Sequence, residues 1–233
     1  MELSGIVPLP DSVADNTASA FLALAGVPAL ARVVSSMLGV VAGPDRIVVA
    51  AAEPLVGDVR AAFATHGLEG VSVTAVPGAA TRADCIRAAL ESFRRGPLSP
   101  SHVLVHDISS PLVSTDLTDR VVDAMGGGGV IVTPMLAVTD SVKDVDPNGS
   151  VTATVDRSAL RTVQFPRGFA VGALAELLGQ DTGDVDEVAA AIGAGAHITV
   201  VDGDPGSFRV ELPRDAEFIE AIIASRESTP HGP

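Results

Sequence analysis

Short apolar runs alternate with amphipathic stretches along the first half of the chain. Gly5–Leu9 reads as a first strand and Ile47–Ala51 as a second, buried one. Between them, Pro28 at a start and Gly39 just past an end bracket a helix. Leu55–His66 is predicted helical with Gly67 as its C-cap, followed by a strand at Val71–Val76 and a helix at Arg82–Phe93. Val103–His106 reads as a further buried strand, Thr115–Met125 as a helix and Val130–Pro134 as a strand. Such alternation predicts an α/β fold, a mostly parallel sheet flanked by helices on both faces.

The period changes at Val138. Ser141–Val145 and Ser150–Val155 alternate on either side of Asp146-Pro147-Asn148-Gly149, a strong turn signal. This predicts a β-hairpin arm over about 138–158, inserted into the α/β unit. Beyond it the pattern gives helices near Gly168–Leu178 and Asp186–Ile192, a strand at Ile198–Val201 and a last helix from Arg214 to about Ser225. One domain over residues 1–226 is expected, with a disordered tail over 227–233. The run Gly126–Gly129 reads as a helix-to-strand connection, because no helix start follows it to bind an anion.

Composition narrows the function classes. Apolar residues make up 47% of the 233, but only 3% are aromatic, so no base-stacking surface and no nucleic-acid partner are expected. With 29 acidic and 15 basic residues the net charge is −14, which repels phosphate backbones and anionic membranes at long range. A phosphate site must then be a local cluster of cations. Lys143 is the single lysine, so arginines must supply the rest. Cys85 stands alone, which excludes an internal disulfide and a cysteine-rich zinc site. The apolar stretch Phe21–Gly43 is broken by Pro28, Arg32, Ser35 and Ser36, so no membrane span is expected. Met1–Pro10 carries no basic residue and is not read as a secretory signal; a cytoplasmic protein is expected.

Three segments carry candidate chemistry. Val103-Leu104-Val105-His106-Asp107 is a buried strand ending in a carboxylate, and open parallel sheets bind ligands at that end of their strands. Asp107 is placed either to hold a nucleotide-bound Mg²⁺ or to cap the next turn. Gly78 and Thr81-Arg82-Ala83-Asp84-Cys85 open a helix at the same edge, where Arg82 and free N–H groups suit an anion; an ordinary capped helix is the alternative. Asp140-Ser141-Val142-Lys143 and Thr154-Val155-Asp156-Arg157 fall on opposite arm strands. Pairing there is expected to bring Lys143 near Arg157 as a grip for a phosphate monoester, with a solvated, salt-bridged hairpin as the alternative.

In their order and spacing these segments resemble the 2-C-methyl-D-erythritol 4-phosphate cytidylyltransferase family. So do Phe21-Leu22-Ala23-Leu24-Ala25-Gly26, Gln164-Phe165-Pro166, Val201-Asp202-Gly203-Asp204-Pro205 and Phe208-Arg209-Val210, and the likeness runs from about Gly5 to Ala224. It implies a Rossmann-like nucleotidyltransferase fold and a reaction in which the phosphate of methylerythritol phosphate attacks the α-phosphorus of CTP and pyrophosphate leaves, with Mg²⁺ as cofactor. It also implies a homodimer whose arm reaches the partner's substrate site. By this resemblance Asp107 holds the metal and is catalytic with Arg157 and Arg209. Asp140, Ser141, Lys143, Arg157 and Arg209 bind the sugar-alcohol phosphate. Pro8, Leu9, Gly78, Arg82, Asp84, Cys85 and Ile108 bind the nucleotide.

The chain departs from the family where the triphosphate is held. A Gly-rich loop, Ala-Ala-Gly-x-Gly-x-Arg followed by Pro-Lys, is replaced by Pro8–Ser19, with no glycine and no cation; the family's lysine falls on Ser19. Ala-Ala-Arg-Pro after the metal-site Asp is here Ile108-Ser109-Ser110-Pro111, and Gln-Thr-Pro-Gln is Gln164-Phe165-Pro166-Arg167. The family's late Thr-Asp-Asp segment matches at Asp184, Asp186 or Glu187. Charge concentrates on phosphoryl oxygens in the transition state, and each well-placed donor lost costs roughly 10²–10³ in rate. The departures therefore predict a cytidylyltransferase of weak or lost activity, or a non-catalytic binding or regulatory paralogue.

Overall fold

The computed structural model describes residues 1–179 and 186–228. Strand β1 (Leu3–Leu9) leads into two short helices, α1 (Asp11–Asp15) and α2 (Ala18–Phe21), and a small ladder of β2 (Ala23–Leu24) with β3 (Val27–Pro28). Then come α3 (Ala29–Leu38), β4 (Ile47–Ala52), α4 (Val56–His66), β5 (Ser72–Val76) and α5 (Arg82–Arg95). They are followed by β6 (His102–Val105), α6 (Thr115–Gly126) and β7 (Ile131–Ala137). A hairpin of β8 (Lys143–Val145) and β9 (Val151–Thr154) precedes β10 (Arg161–Val163), β11 (Arg167–Ala170) and α7 (Val171–Gly179). The described chain closes with α8 (Glu187–Gly193), β12 (Thr199–Asp202) and α9 (Ala216–Ser228).

The main sheet runs β10-β7-β11-β6-β1-β4-β5, with β12 paired to β7. Strands β6, β1, β4 and β5 are mutually parallel, and β12 is parallel to β7. All seven residues of β1 and all six of β4 are buried, as expected for strands covered on both faces. Helix α5 packs Cys85, Ile86, Ala89, Leu90 and Phe93 onto this sheet, a helical spacing of small and apolar side chains.

The mostly parallel α/β architecture holds, and its antiparallel part is a correction. The segment expected to begin a helix near Gly168 is strand β11, wedged antiparallel between β6 and β7, and helix α7 starts only at Val171. Gly168 allows this fit: a Cβ there would collide with Met125 of α6. Strands of three or four residues, such as β10 and β11, are too short to display a period. At the other boundaries, Asp156 and Arg157 lie beyond β9, with Arg157 opening a tight turn over Arg157–Ala159. Helix α9 runs to Ser228, so residues 227 and 228 of the expected tail are helical, and 229–233 lie outside the described residues. Among the described residues no helix is long and apolar enough to cross a membrane.

Candidate active site

The carboxyl end of β6 carries the densest chemistry. Asp107 N–H donates to Nδ1 of the buried His106 at 2.8 Å. The Asp107 carboxylate is engaged on both oxygens. Oδ1 accepts from the Ser109 N–H at 2.9 Å and its hydroxyl at 2.6 Å, and Oδ2 pairs with Arg82 Nη1 at 2.6 Å. Arg82 is the first residue of α5, placed there by a capping box in which the Asp84 N–H donates to Thr81 Oγ1 and the Thr81 N–H to Asp84 Oδ2. Its Nε reaches Glu187 Oε1 at 2.7 Å. The second Glu187 oxygen accepts from Arg167 Nη1 at 3.0 Å, and Arg167 Nη2 pairs with Asp186 Oδ2 at 3.1 Å. Arg167 and Glu187 are only 2% and 3% exposed.

Phe165 joins the two guanidiniums from one side. Its ring centroid lies 4.1 Å from Arg167 Cζ and 5.2 Å from Arg82 Cζ, and His106 stacks on it at 6.4 Å. Burial opposes the charge on Arg82, yet Glu187 and then Asp107 outweigh it and raise its pKa. Burial likewise opposes ionisation of Asp107, but Arg82, the Ser109 bonds and the charge of Arg209 together hold its carboxyl below the usual range. At His106 burial outweighs the neighbouring Asp107 and takes the pKa down to about 4, so the ring is neutral at neutral pH. Two guanidiniums thus meet three carboxylates in one hub, buried at Arg167 and Glu187 and open to water at Asp186.

The first connection forms no glycine loop. It folds as α1 and α2, and Asp11 ties it across the sheet edge: the Asp11 N–H donates to Ala80 O at 2.9 Å and the Ala80 N–H to Asp11 Oδ2 at 3.0 Å. Gly78, at φ +77°, turns that second loop in a left-handed conformation that L side chains rarely adopt. A cavity of about 360 Å³ opens between this connection, the loop after β6 and the segment before α9, lined in part by Asn16, Ser19, Ser109, Glu211 and Arg214. Its cation, Arg214, is bridged to Glu211 at 2.6 Å and Asp215 at 3.1 Å.

The expected site residues fall into separate places. Arg82 and Asp107 touch, and Arg209, exposed on its own segment, reaches Asp107 only through its field. Gln164 holds that segment by accepting from the Asp204 N–H at 2.8 Å and donating to Asp204 O at 2.8 Å and Ser207 O at 3.0 Å. Pro8, Leu9 and Ile108 bury their side chains, and Asp84 is spent on the helix cap and on Arg87. Cys85 is wholly buried, which pushes its thiol up to about 12 and leaves it inert. Asp140, Ser141, Lys143 and Arg157 sit on or beside the exposed arm. There the expected pairing of Lys143 with Arg157 is not formed. Lys143 Nζ instead donates to Thr154 Oγ1 at 2.7 Å, because the register sets Lys143 opposite Thr154, and Arg157 turns back to donate to Thr139 O.

Sequence reasoning missed Phe165 and Arg167 as members of the site. Their signal was the odd stretch Gln164–Arg167, whose buried arginine requires an acid. Asp186 and Glu187 supply it, while Asp184 lies outside the described residues.

Asp107 was the expected magnesium ligand, and here the donor set does not fit the ion. Magnesium takes oxygen ligands in near-octahedral array, whereas this carboxylate already accepts from a guanidinium and from the N–H and hydroxyl of Ser109, which leaves one acceptor site of about four. Among the described residues no group of three or more His, Cys, Asp or Glu side chains gathers to hold a metal.

The chain matches the family profile of 2-C-methyl-D-erythritol 4-phosphate cytidylyltransferase over residues 11–225. It is 35% identical over 215 residues to the cytidylyltransferase of that name from Streptomyces coelicolor, covering 89% of this chain and 78% of the relative. The corresponding protein of Rhodococcus jostii is 34% identical over 90% of this chain and 88% of its own. Among solved structures, the cytidylyltransferase of Thermus thermophilus superposes with a TM-score of 0.75 at 27% identity, covering 96% of this chain and 100% of that one.

Proposed function

The chain belongs to the 2-C-methyl-D-erythritol 4-phosphate cytidylyltransferase family, and from that membership we propose that it keeps the sugar-alcohol-phosphate side of the family's site and turns CTP over weakly. The family reaction joins an oxygen of methylerythritol phosphate to the α-phosphorus of CTP, breaks the bond to the β-phosphate oxygen and releases pyrophosphate. In-line transfer of this kind rests on positioning and on cations at the phosphoryl oxygens.

One observation carries the reading. The connection after β1, where the family's loop wraps the triphosphate, is two helical turns without a lysine or arginine, closed onto Ala80 by Asp11. On the other side Lys143 and Arg157 are exposed and bonded only to neutral oxygens, which leaves their charge for a substrate phosphate. In this reading residues 1–226 act as one unit, and the arm pairs two copies so that its cations complete a partner's site.

A second reading, a non-catalytic binding or regulatory paralogue, is favoured by the self-paired hub, where Arg82 and Asp107 satisfy one another. The two separate on one assay. The pure protein is incubated with CTP, methylerythritol phosphate and Mg²⁺, and pyrophosphate release is followed. The expected rate lies at least about 10²-fold below that of a relative with an intact Gly-rich loop. Equal turnover would overturn the first reading, and any turnover above background lost in Arg209→Ala would overturn the second.

A further inference from the structure

The hub assigns Arg82 a fixed station. Its Nη1 holds Asp107 Oδ2 at 2.6 Å and its Nε holds Glu187 Oε1 at 2.7 Å. Glu187 is itself fixed by Arg167, one of the largest fully buried side chains, and both guanidiniums lie against Phe165. We infer that Arg82 is the permanent counter-cation of Asp107 in this chain, so that a phosphate-bearing ligand at this edge is met by a guanidinium and not by a divalent ion. The inference rests on the reading of this edge as the nucleotide side, and not on the rate of turnover.

Three features support it. First, this chain's departures surround the pair: the Ser109 hydroxyl that engages Asp107 Oδ1 stands in the stretch that differs from Ala-Ala-Arg-Pro, and Phe165 and Arg167 stand in the one that differs from Gln-Thr-Pro-Gln. Second, the Arg82–Asp107 pair would have to open before an ion could take Oδ2, while Arg82 stays anchored by Glu187, and opening a desolvated pair strands buried charge. Third, Arg82 Nη2 is buried without a partner among the described residues, a charged donor with its hydrogens unspent. A phosphate oxygen is a strong acceptor for a guanidinium N–H. The ligand class is thus an organic phosphate contacting Arg82 through one oxygen, with Arg209 adding its field from the open side.

The test uses Mn²⁺ alone, titrated into the full chain without nucleotide and read by electron paramagnetic resonance. The wild type is expected to show no bound Mn²⁺ that Asp107→Asn removes. Arg82→Gln frees the carboxylate and is expected to create a Mn²⁺ site, lost again in the Arg82→Gln/Asp107→Asn double variant. Bound Mn²⁺ in the wild type that Asp107→Asn abolishes overturns the inference, and so does an Arg82→Gln protein that folds but gains no site. Should Arg82→Gln not fold, calorimetry of CTP binding to the wild type decides. Affinities in excess Mg²⁺ and in EDTA are expected to agree within about threefold. A gain of about tenfold or more with Mg²⁺, or no binding in EDTA, overturns it. Pyrophosphate release plays no part in either measurement, so a normal turnover rate would sink the weak-enzyme reading and leave this one standing.

Discussion

The buried hub and the exposed arm hold the same kinds of charge in opposite circumstances. In the hub, Arg82 and Arg167 are desolvated and each faces two carboxylates. In the arm, Lys143 donates to a threonine hydroxyl and Arg157 to a carbonyl, both in water. A buried ion pair gains little net stability over an apolar replacement, but losing one member is costly, because the other is stranded. An exposed cation costs nothing to keep free. In a chain of net charge −14, what an arginine can offer an anion therefore depends on its commitments as well as its presence: Arg157 has no carboxylate partner among the described residues, and Arg82 has only Nη2 unspent.

The contrast breaks most sharply at its two arginines. Arg167→Met takes from the buried Glu187 one of its two guanidinium partners and from Asp186 its arginine, and is expected to destabilise the fold by about 3 kcal/mol. Arg157→Met, losing one exposed bond to a carbonyl, is expected to stay within about 0.5 kcal/mol of the parent. Urea denaturation of the two variants measures both. Similar losses from the two would mean that hub and arm do not differ as their burial says.

Sequence pattern alone reached the parallel half of the sheet because β1, β4 and β6 are long enough, or apolar enough, to stand out. Helix α5 was legible from its spacing and its Thr81–Asp84 cap. Strands β10 and β11 were not, since three or four residues carry no period and their pairing is decided by β6 and β7, far along the chain. The same limit applies to the site. Asp107 and Arg82 announced themselves locally, at a strand end and a helix start. Their ion pair, and the link through Glu187 to Arg167, joins residues as many as 105 positions apart. A resemblance to a metal-using family suggested an ion at Asp107; only three-dimensional packing reveals the guanidinium paired with that carboxylate.

Acid sharpens the comparison next, through His106. Its pKa is about 4 in the folded chain against 6.5 for the free side chain, with burial as the cause. Above pH 6.5 the ring is neutral whether folded or not, and stability does not depend on it. Between pH 6.5 and 4 the unfolded chain binds a proton that the folded one refuses, so stability falls as pH falls, and the His106 part of that loss is complete below about pH 4. The full loss is about 3 kcal/mol. Asp107 and Asp186, both lowered from 3.8, keep their pairs through that window and release them only in stronger acid. His106→Asn is expected to flatten most of the slope, leaving the smaller contribution of His102, whose pKa burial also lowers. None of the histidines lies in the arm, so arm substitutions should leave the slope unchanged. A slope of equal size in His106→Asn would show that the ring is not what titrates.

The smallest effect tests how the hub is anchored. Thr81 caps α5 one residue before Arg82, and its loss removes an acceptor for the Asp84 N–H and a donor to Asp84 Oδ2. Thr81→Ala is expected to cost about 1 kcal/mol, the usual worth of a helix cap. If the cap also holds Arg82 on Asp107, the cost should shrink when Arg167 is already replaced, because the guanidinium relay it supports is then open. A double-mutant cycle of Thr81→Ala with Arg167→Met, followed by urea denaturation, measures that coupling at about 0.5 kcal/mol or more. Strict additivity would mean that α5 is capped for its own sake, and that the ion pairs alone set the position of Arg82.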